Sequence, residues 1–373
     1  MKSSGTRCRE APATPWPWTI AQLCRGRVIR WSMWRSRNSG MSPGVALHCN
    51  HLHRRYLSGV CFLWLSTRSS GLSNCTNGVP CFGRGADRGD LIGASGNSVI
   101  RHFFTVDVEE FFQVSAFERW IPRDGWNRFE RRAARSVREL LDRLDEHQAK
   151  GTFFVLGWLA EREPALVREI AERGHEIASH GWDHRRVTEQ SPAQFRDSVR
   201  ASRILLEQLT GRRVFGFRAP SFSIVRGLEW ALDILIEEGY AYDSSLFPVQ
   251  RRGYGYVGGE TVPHWIARPA GRLAEYPPAT VRWLGRELPA GGGAYFRILP
   301  YRFVAGALKR AQAANAPATF YIHPWEIDPG QPRVHTDLLT RLRHYTGLGR
   351  TLPRLERLLR EFRFTAIAEH LAA

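Results

Sequence analysis

Hydrophobic segments that end at a polar residue alternate with amphipathic segments from residue 99 to the end of the chain. The hydrophobic segments predict strands at residues 102–106, 151–156, 175–179, 214–217, 240–242 and 318–322. The amphipathic segments predict helices at residues 133–147, 164–173, 192–209 and 228–238. Strands that alternate with helices are typical of a parallel sheet covered by helices, so the pattern predicts an α/β fold.

Chemically active side chains follow most of these predicted strands. They are Asp107, His180, Arg218, Asp243 and His323. In parallel α/β barrels the carboxyl ends of the strands converge on one face, and active sites are built there. The sequence therefore predicts that these five residues lie around one site.

Two histidines four residues apart, His180 and His184, can turn their imidazoles to one side and share a metal ion. The pair is not the metalloprotease motif, because Gly181 occupies the position where that motif has a glutamate. Asp107 and Glu109 lie on the same side of an extended segment, so one carboxylate can bind the metal while the other acts as a base. A solvated histidine pair and a charged strand end are the ordinary alternatives.

The first part of the chain has a different composition. Residues 1–95 contain thirteen Lys or Arg, three acids and all six cysteines, and they carry ten of the seventeen net positive charges. The cysteine spacing matches neither a paired zinc site nor a compact disulfide scaffold. We interpret residues 1–97 as an extension that is disordered or translated from an incorrectly assigned start, rather than as a basic arm for nucleic acid or membrane, and we expect no nucleic-acid partner.

The longest apolar run near the start, residues 59–65, is much shorter than the 18 or so residues that cross a bilayer. The order of charged, apolar and small residues that marks a secretory signal is also missing from the sequence. The sequence therefore predicts no transmembrane segment and a cytoplasmic location.

Five segments together resemble a known family. Their order and spacing are similar to those of the polysaccharide deacetylases, also called NodB-homology or carbohydrate esterase family 4 enzymes, and especially to the branch associated with exopolysaccharide and exosortase loci. The segments are residues 105–109 (Thr-Val-Asp-Val-Glu), 179–184 (Ser-His-Gly-Trp-Asp-His), 217–222 (Phe-Arg-Ala-Pro-Ser-Phe), 242–245 (Tyr-Asp-Ser-Ser) and 321–326 (Tyr-Ile-His-Pro-Trp-Glu). The resemblance extends over residues 99–364.

The resemblance implies a distorted (β/α) barrel of about seven strands in residues 98–373, with a family-specific C-terminal part from about residue 250. It also implies a divalent metal, most often Zn²⁺, and hydrolysis of N-acetyl groups on a polysaccharide or its oligosaccharide precursor, here in bacterial exopolysaccharide biosynthesis. The oligomeric state is not implied.

The resemblance also implies residue roles. Asp107 resembles the catalytic base, Arg218 the residue that keeps this base ionised, His323 the general acid, and Asp243 the acid that tunes this histidine. Most of the family has two adjacent aspartates in the first motif.

In this chain Val108 replaces the second aspartate of that motif. We therefore assign its metal-binding role to Glu109, beside His180 and His184. Ser221 and Phe222 are the expected substrate or oxyanion contacts.

Two other functions remain open from the sequence. An amidase that acts on a small cyclic amide can use the same fold, because a fold does not determine a substrate. Loss of metal binding at Glu109 favours that function. A non-catalytic carbohydrate-binding or nucleic-acid-binding protein is the alternative from another class, although simple binding needs neither a base nor an acid.

Overall fold

The computed structural model describes residues 100–251 and 253–372, together with the backbone of two short strands nearer the start. Those strands, β1 (Ala21–Cys24) and β2 (Arg27–Arg30), form an antiparallel hairpin in a stretch for which the sequence predicts no strand. The remaining part of the prediction for residues 1–97 lies outside the described residues. The hairpin and the residues from 100 onward belong to separate compact units.

The second unit is a mixed α/β structure. Its strands are β3 (Arg101–Val108), β4 (Thr152–Val155), β5 (Glu176–Ser179), β6 (Gly216–Phe217), β7 (Tyr242–Asp243), β8 (His264–Arg268), β9 (Gly271–Glu275), β10 (Thr280–Trp283), β11 (Arg286–Pro289), β12 (Thr319–Ile322) and β13 (Arg363–Thr365). Its α-helices are α1 (Ala133–Glu146), α2 (Gly157–Arg162), α3 (Pro164–Glu172), α4 (Pro192–Thr210), α5 (Trp230–Glu237), α6 (Gly293–Ile298), α7 (Tyr301–Ala313), α8 (Leu338–Tyr345), α9 (Leu348–Glu361) and α10 (Ile367–Leu371).

The main sheet closes on itself into a distorted barrel. Seven strands run parallel in the order β12-β3-β4-β5-β6-β7-β9, while β8 pairs antiparallel with β9 and β13 pairs with β3. Beyond β9 the chain returns to β12, where Pro278 bridges to Thr319 and the Ala279 amide donates to the Thr319 carbonyl oxygen at 3.0 Å. These contacts join the two ends of the sheet and confirm the predicted barrel of about seven strands.

The helices form where the sequence has matching periodicity and end signals. Helix α1 buries Val137, Leu140, Leu141 and Leu144, which recur at three- and four-residue spacing. Helix α4 begins after Ser191, whose hydroxyl accepts from the third helical amide, and it ends at a left-handed glycine. The predicted helices and strands before residue 245 are therefore present, with ends displaced by one or two residues.

Strands β8 to β11 were not predicted from the sequence. Strand β9 has two exposed residues followed by three buried ones, and β10 has two exposed residues in four. Such short strands lack the continuous hydrophobic run of β3, although β9 supplies one of the seven barrel strands. Among the described residues, no helix is long and apolar enough to cross a membrane.

The two faces of strand β3 pack into different hydrophobic cores. Phe104, Val106 and Val108 point into the large core between the sheet and the helices. Phe103 belongs to a smaller core on the other face, together with Phe154 of β4 and Tyr242 of β7. Because side chains alternate along a strand, Asp107 is on the same face as Phe103. Strand β3 thereby places an acid at the end of a buried apolar stack.

Candidate active site

A cavity of about 320 Å³ lies at the carboxyl ends of the barrel strands. Asp107, Glu109, His180, His184 and His323 all line it. Four of the five residues are almost fully buried, and the side chain of His323 is 18% exposed. Strands β3, β5 and β12 therefore bring the predicted base, ligands and acid to one place.

Asp107 is held by a fully buried arginine. Its Oδ1 accepts a hydrogen bond from Arg218 Nη1 at 2.7 Å. Arg218 also donates to Thr105 Oγ1, to the Ser244 carbonyl oxygen and to Ser244 Oγ. Its guanidinium lies 4.2 Å from the centre of the Phe154 ring. The four hydrogen bonds fix the guanidinium, which holds Asp107 Oδ1 in place and leaves Oδ2 available to the cavity.

Glu109, His180 and His184 form a compact set of metal-type donors. One donor atom from each residue lies within 4.8 Å of those of the other two, and all three residues are buried. His180 Nδ1 is 2.8 Å from the Arg218 carbonyl oxygen, so it is the protonated nitrogen and Nε2 carries the lone pair. Burial lowers the pKa of His180 to about 4, which keeps its imidazole in the neutral form that binds metals.

The contact between Glu109 and His184 is the best test of whether a metal ion fits. Glu109 Oε2 is 2.7 Å from His184 Nε2, yet this buried oxygen has no well-formed hydrogen bond to any described residue. A buried carboxylate oxygen that lacks a well-formed hydrogen bond and lies close to an imidazole nitrogen is the arrangement expected where a cation binds between the two groups. The donor set of two imidazoles and one carboxylate is that of catalytic zinc sites with an open coordination position. The residues present therefore fit a divalent metal ion.

The loop that carries both histidines depends on glycine at two points. Gly181 has φ 76°, which glycine adopts without strain, and it allows the chain to turn directly after His180. Gly157 lies against the Trp182 ring, where an added Cβ would come within 2.4 Å of a ring carbon. The amides of residues 157 and 158 also donate to the carbonyl oxygens of residues 181 and 182. The start of α2 therefore holds the histidine loop in place.

His323 faces the two carboxylates across the cavity. Its Nε2 is 3.8 Å from both Asp107 Oδ2 and Glu109 Oε1. Burial alone would lower the pKa of His323, but the hydrogen bond and charge of Glu326, with the charges of Glu109 and Asp107, raise it to about 9. The imidazole is therefore protonated at neutral pH and can act as an acid.

Glu326 is the carboxylate that contacts His323. Its Oε2 is 3.2 Å from His323 Nδ1, and its Oε1 accepts from the fully buried Arg297 Nε at 2.7 Å. Trp325, between them in sequence, stacks on His323 and donates from Nε1 to Glu109 Oε1 at 3.0 Å. His344 of α8 also stacks on the Trp325 ring, with ring centres 4.2 Å apart. The C-terminal part of the chain thus supports both the acid and a metal-type ligand.

In the part of the chain that the structure describes, the carboxylate of Asp243 makes no contact with His323. It is fully buried, and its Oδ1 accepts from Ser245 Oγ at 2.5 Å rather than meeting His323. Burial raises the pKa of Asp243 to about 6, and its neighbour Glu275 has a pKa well above the ordinary value because of burial and the charge of Asp243. Glu326 is the carboxylate that contacts His323, and the tuning role implied for Asp243 stays a prediction.

Ser221 and Phe222 line the same cavity, and both have positive φ, 56° and 52°. Two consecutive non-glycine residues in this region indicate a backbone held by its surroundings. Ser221 Oγ is 2.7 Å from Ser115 Oγ, and the Phe222 amide donates to the Ala219 carbonyl oxygen. The Phe222 amide is therefore occupied, and the oxyanion role of this segment stays a prediction.

Two family models match adjacent parts of the chain. Residues 124–233 match the polysaccharide deacetylase family, and residues 244–372 match a domain of unknown function, DUF3473. The first match contains His180, His184 and Arg218, and the second contains His323 and Glu326. Asp107 and Glu109 precede both matches.

Curated relatives are similar to a short stretch of the chain. The peptidoglycan-N-acetylglucosamine deacetylase of Bacillus cereus is 32% identical over 96 residues, which are 26% of this chain and 35% of that protein. The chitooligosaccharide deacetylase of a Bradyrhizobium species is 34% identical over 101 residues, 26% of this chain and 42% of that protein. The matched regions therefore amount to less than half the length of these relatives.

Two solved structures share the fold. A Mycobacterium smegmatis protein described as a polysaccharide deacetylase has a TM-score of 0.53 at 21% identity, over 76% of this chain and 93% of its own. An allantoinase has a TM-score of 0.51 at 16% identity, over 77% of this chain and 94% of its own. At these identities the likeness concerns the fold alone.

Proposed function

We propose that this chain is a metal-dependent hydrolase of the polysaccharide deacetylase type, which removes N-acetyl groups from a polysaccharide or its oligosaccharide precursor; the match of residues 124–233 to that family supports the proposal. One observation carries the proposal. Asp107 and His323 face the Glu109, His180 and His184 set across one cavity, so a base, an acid and a metal-type site surround the same space. A base, an acid and a metal ion around one space can together hydrolyse an amide.

Glu109, His180 and His184 would hold the metal ion, and zinc is the ion that we propose. When bound, it supplies Lewis-acid polarisation of the acetyl carbonyl group and of the attacking water. Trp325 keeps Glu109 in place through its hydrogen bond to Oε1, and the Arg218 carbonyl oxygen fixes the ring of His180. These contacts orient the ligands before substrate arrives.

The protein residues account for the two proton transfers. Asp107 accepts a proton from water as the water oxygen bonds to the acetyl carbon. His323 then donates its proton to the amide nitrogen as the carbon–nitrogen bond breaks, which releases acetate and a free amine. Arg218 holds Asp107 through a hydrogen bond, and Glu326 favours the protonated form of His323. The acid thus begins in the state that the reaction needs.

The class of polymer that serves as substrate is proposed from the names of the relatives and from the sequence motifs. The relatives are named as deacetylases of peptidoglycan and of chitooligosaccharide, so we propose an N-acetylated glycan as substrate. The segments of residues 105–109 and 321–326 favour a role in exopolysaccharide biosynthesis. The rival function on this fold is hydrolysis of a cyclic amide. Because the solved allantoinase structure shares the fold, we include a cyclic amide in the test below.

The test is acetate release from N-acetylglucosamine oligomers by the full chain. We expect release that a chelator stops and that added Zn²⁺ restores. A parallel assay offers a cyclic amide of the allantoin type. Hydrolysis of the cyclic amide without acetate release from the oligomer would establish the rival function instead.

We expect Glu326→Gln to lower kcat/KM for deacetylation by roughly 10- to 100-fold, because the loss of a positioning carboxylate weakens a catalytic histidine by about this amount. Gln keeps the volume and a hydrogen-bond acceptor, but it removes the charge that favours protonated His323. Steady-state kinetics on the oligomer substrate measure the effect.

The matched control is Asp243→Asn, which changes an acid that does not contact His323. We expect its kcat/KM to stay within about threefold of the unsubstituted protein. The assignment of Glu326 is wrong if Asp243→Asn has the larger effect, because His323 would then depend on Asp243 as the motif resemblance implies.

A further inference from the structure

Helix α8 exposes a row of leucines that no residue in the described part of the chain covers. Leu338, Leu339 and Leu342 are 69%, 76% and 55% exposed. At about 100° per residue, the three side chains lie within an arc of about 100° on one face of the helix. Large apolar side chains grouped in this way on a charged protein mark an interaction site more often than chance exposure does.

Arginines flank this leucine face on both sides. Arg341 lies about 60° to one side of the arc and Arg343 about 40° to the other. Neither side chain makes a hydrogen bond or ion pair with the part of the chain that the structure describes. The nearby acid, Asp337, is engaged as the N-cap of α8, with Oδ1 accepting from the Thr340 amide at 2.9 Å. The face is therefore apolar at its centre and cationic at its edges.

The opposite face of α8 is part of the active site. Thr340 and His344, on this opposite face, line the catalytic cavity, and His344 is also buried against Trp325. Arg343, at the edge of the leucine face, lines the cavity as well. Arg297 donates to the carbonyl oxygens of His344 and residue 346, at 2.8 Å each. Because the exposed Arg343 borders both the leucine face and the cavity, whatever covers the leucine face lies close to the cavity.

We propose that the leucine face of α8 docks on an anionic lipid bilayer. An apolar strip with basic edges inserts its apolar side chains at the headgroup boundary, while the arginines pair with lipid phosphates. Each arginine near an anionic surface strengthens the attraction to it, and added salt weakens this contribution. The inference stands on α8 itself and does not need the proposed deacetylation, although a docked α8 would hold the catalytic cavity next to glycans at the bilayer surface.

A second copy of the chain fits this face less well. Three leucines of this exposure present roughly 400 Å², about half of the ~800 Å² per partner in a standard protein interface. The two free arginines would also meet their own copies across a twofold contact, which is repulsive. Anionic lipid satisfies both the apolar centre and the cationic edges.

The test is co-sedimentation of the full chain with vesicles of phosphatidylglycerol and phosphatidylcholine mixed in equal parts, compared with phosphatidylcholine alone. We expect binding to the anionic vesicles that weakens with added salt. The triple substitution L338S, L339S and L342S is expected to lower the partition coefficient at least fivefold, and Arg341→Glu at least threefold. Ile204→Ser is the matched control, because Ile204 is an exposed apolar residue on α4. We expect this variant to bind the vesicles as the unsubstituted protein does.

Equal binding by the triple variant and the control would overturn the proposal, because the basic residues before residue 96 would then account for all membrane affinity. Light scattering without lipid measures the oligomeric state and so tests whether a second copy of the chain covers the leucine face. A dimer that the triple substitution converts to a monomer, with vesicle binding unchanged, would assign the face to a second copy and would also overturn it. Neither outcome depends on whether the chain releases acetate.

Discussion

Asp107→Asn should lower kcat for acetate release by about 10³- to 10⁴-fold while the protein keeps its metal ion. Asparagine cannot accept the proton of the attacking water, and general base catalysis contributes up to about 10⁴-fold. The asparagine oxygen can still accept from Arg218 Nη1, and Arg218 retains its hydrogen bonds to Thr105 and Ser244. Steady-state kinetics and metal content, measured on the same preparation, separate loss of the base from loss of the site.

Two results bear on the role of Asp107. An Asp107→Asn variant that keeps its metal but loses its activity identifies Asp107 as the base. Activity above about a tenth of the original would contradict that role and would favour Glu109, the other carboxylate in the cavity, as the base. A urea unfolding curve checks that Arg218 is still accommodated, since a buried cation without its anion destabilises the fold.

The sequence predicted where the first residues of the candidate site lie in the fold, because each of them follows its own buried strand. His180 comes directly after β5 and Arg218 after β6, so alternation and parallel pairing place them without knowledge of the loops. The same reasoning placed Asp243 after β7 but did not show which way its carboxylate turns. Its carboxylate is fully buried and accepts a hydrogen bond from Ser245 Oγ, so it does not line the cavity.

The partners of His323 show where sequence reasoning stopped. His323 is the N-cap of a short 3-10 helix, and Glu326 is the third residue of that helix. The Glu326 carboxylate accepts from the His323 amide and also contacts the His323 ring. That spacing is visible in the sequence as a capping pattern. Arg297 is 29 residues upstream on α6, and no local pattern links it to Glu326. Contacts of that kind come only from the folded chain.

The region that matches a domain of unknown function is part of the same site as the deacetylase match. It contains His323, Glu326 and Arg297, while the ligand histidines come from the preceding match. The barrel also closes through residues 278 and 279 of this region. The structure therefore gives this C-terminal region a direct part in the proposed chemistry, with the acid and its supports, rather than a separate function.

Glu109→Gln should abolish metal binding and, with it, acetate release. Glutamine preserves the acceptor for Trp325 Nε1, so the side chain stays in place, but the anionic ligand is lost. Because changing a residue that only supports a ligand costs about 10- to 100-fold in metal affinity, loss of the ligand itself should cost at least about 100-fold. Glu110→Gln is the matched control, since Glu110 instead accepts from the amides of residues 132 and 133.

Adding Val108→Asp to Glu109→Gln asks whether the family's usual aspartate can take over. Val108 is fully buried on the opposite face of β3, in the core between the sheet and the helices, so a carboxylate there cannot reach His180 or His184. We expect the double variant to bind no metal and to be less stable than Glu109→Gln, because it buries an unpaired charge in an apolar core. Dialysed metal content and urea midpoints measure both effects. Recovery of metal binding by the double variant would show that the end of β3 can reorient, and Glu109 would then not be the obligatory third ligand.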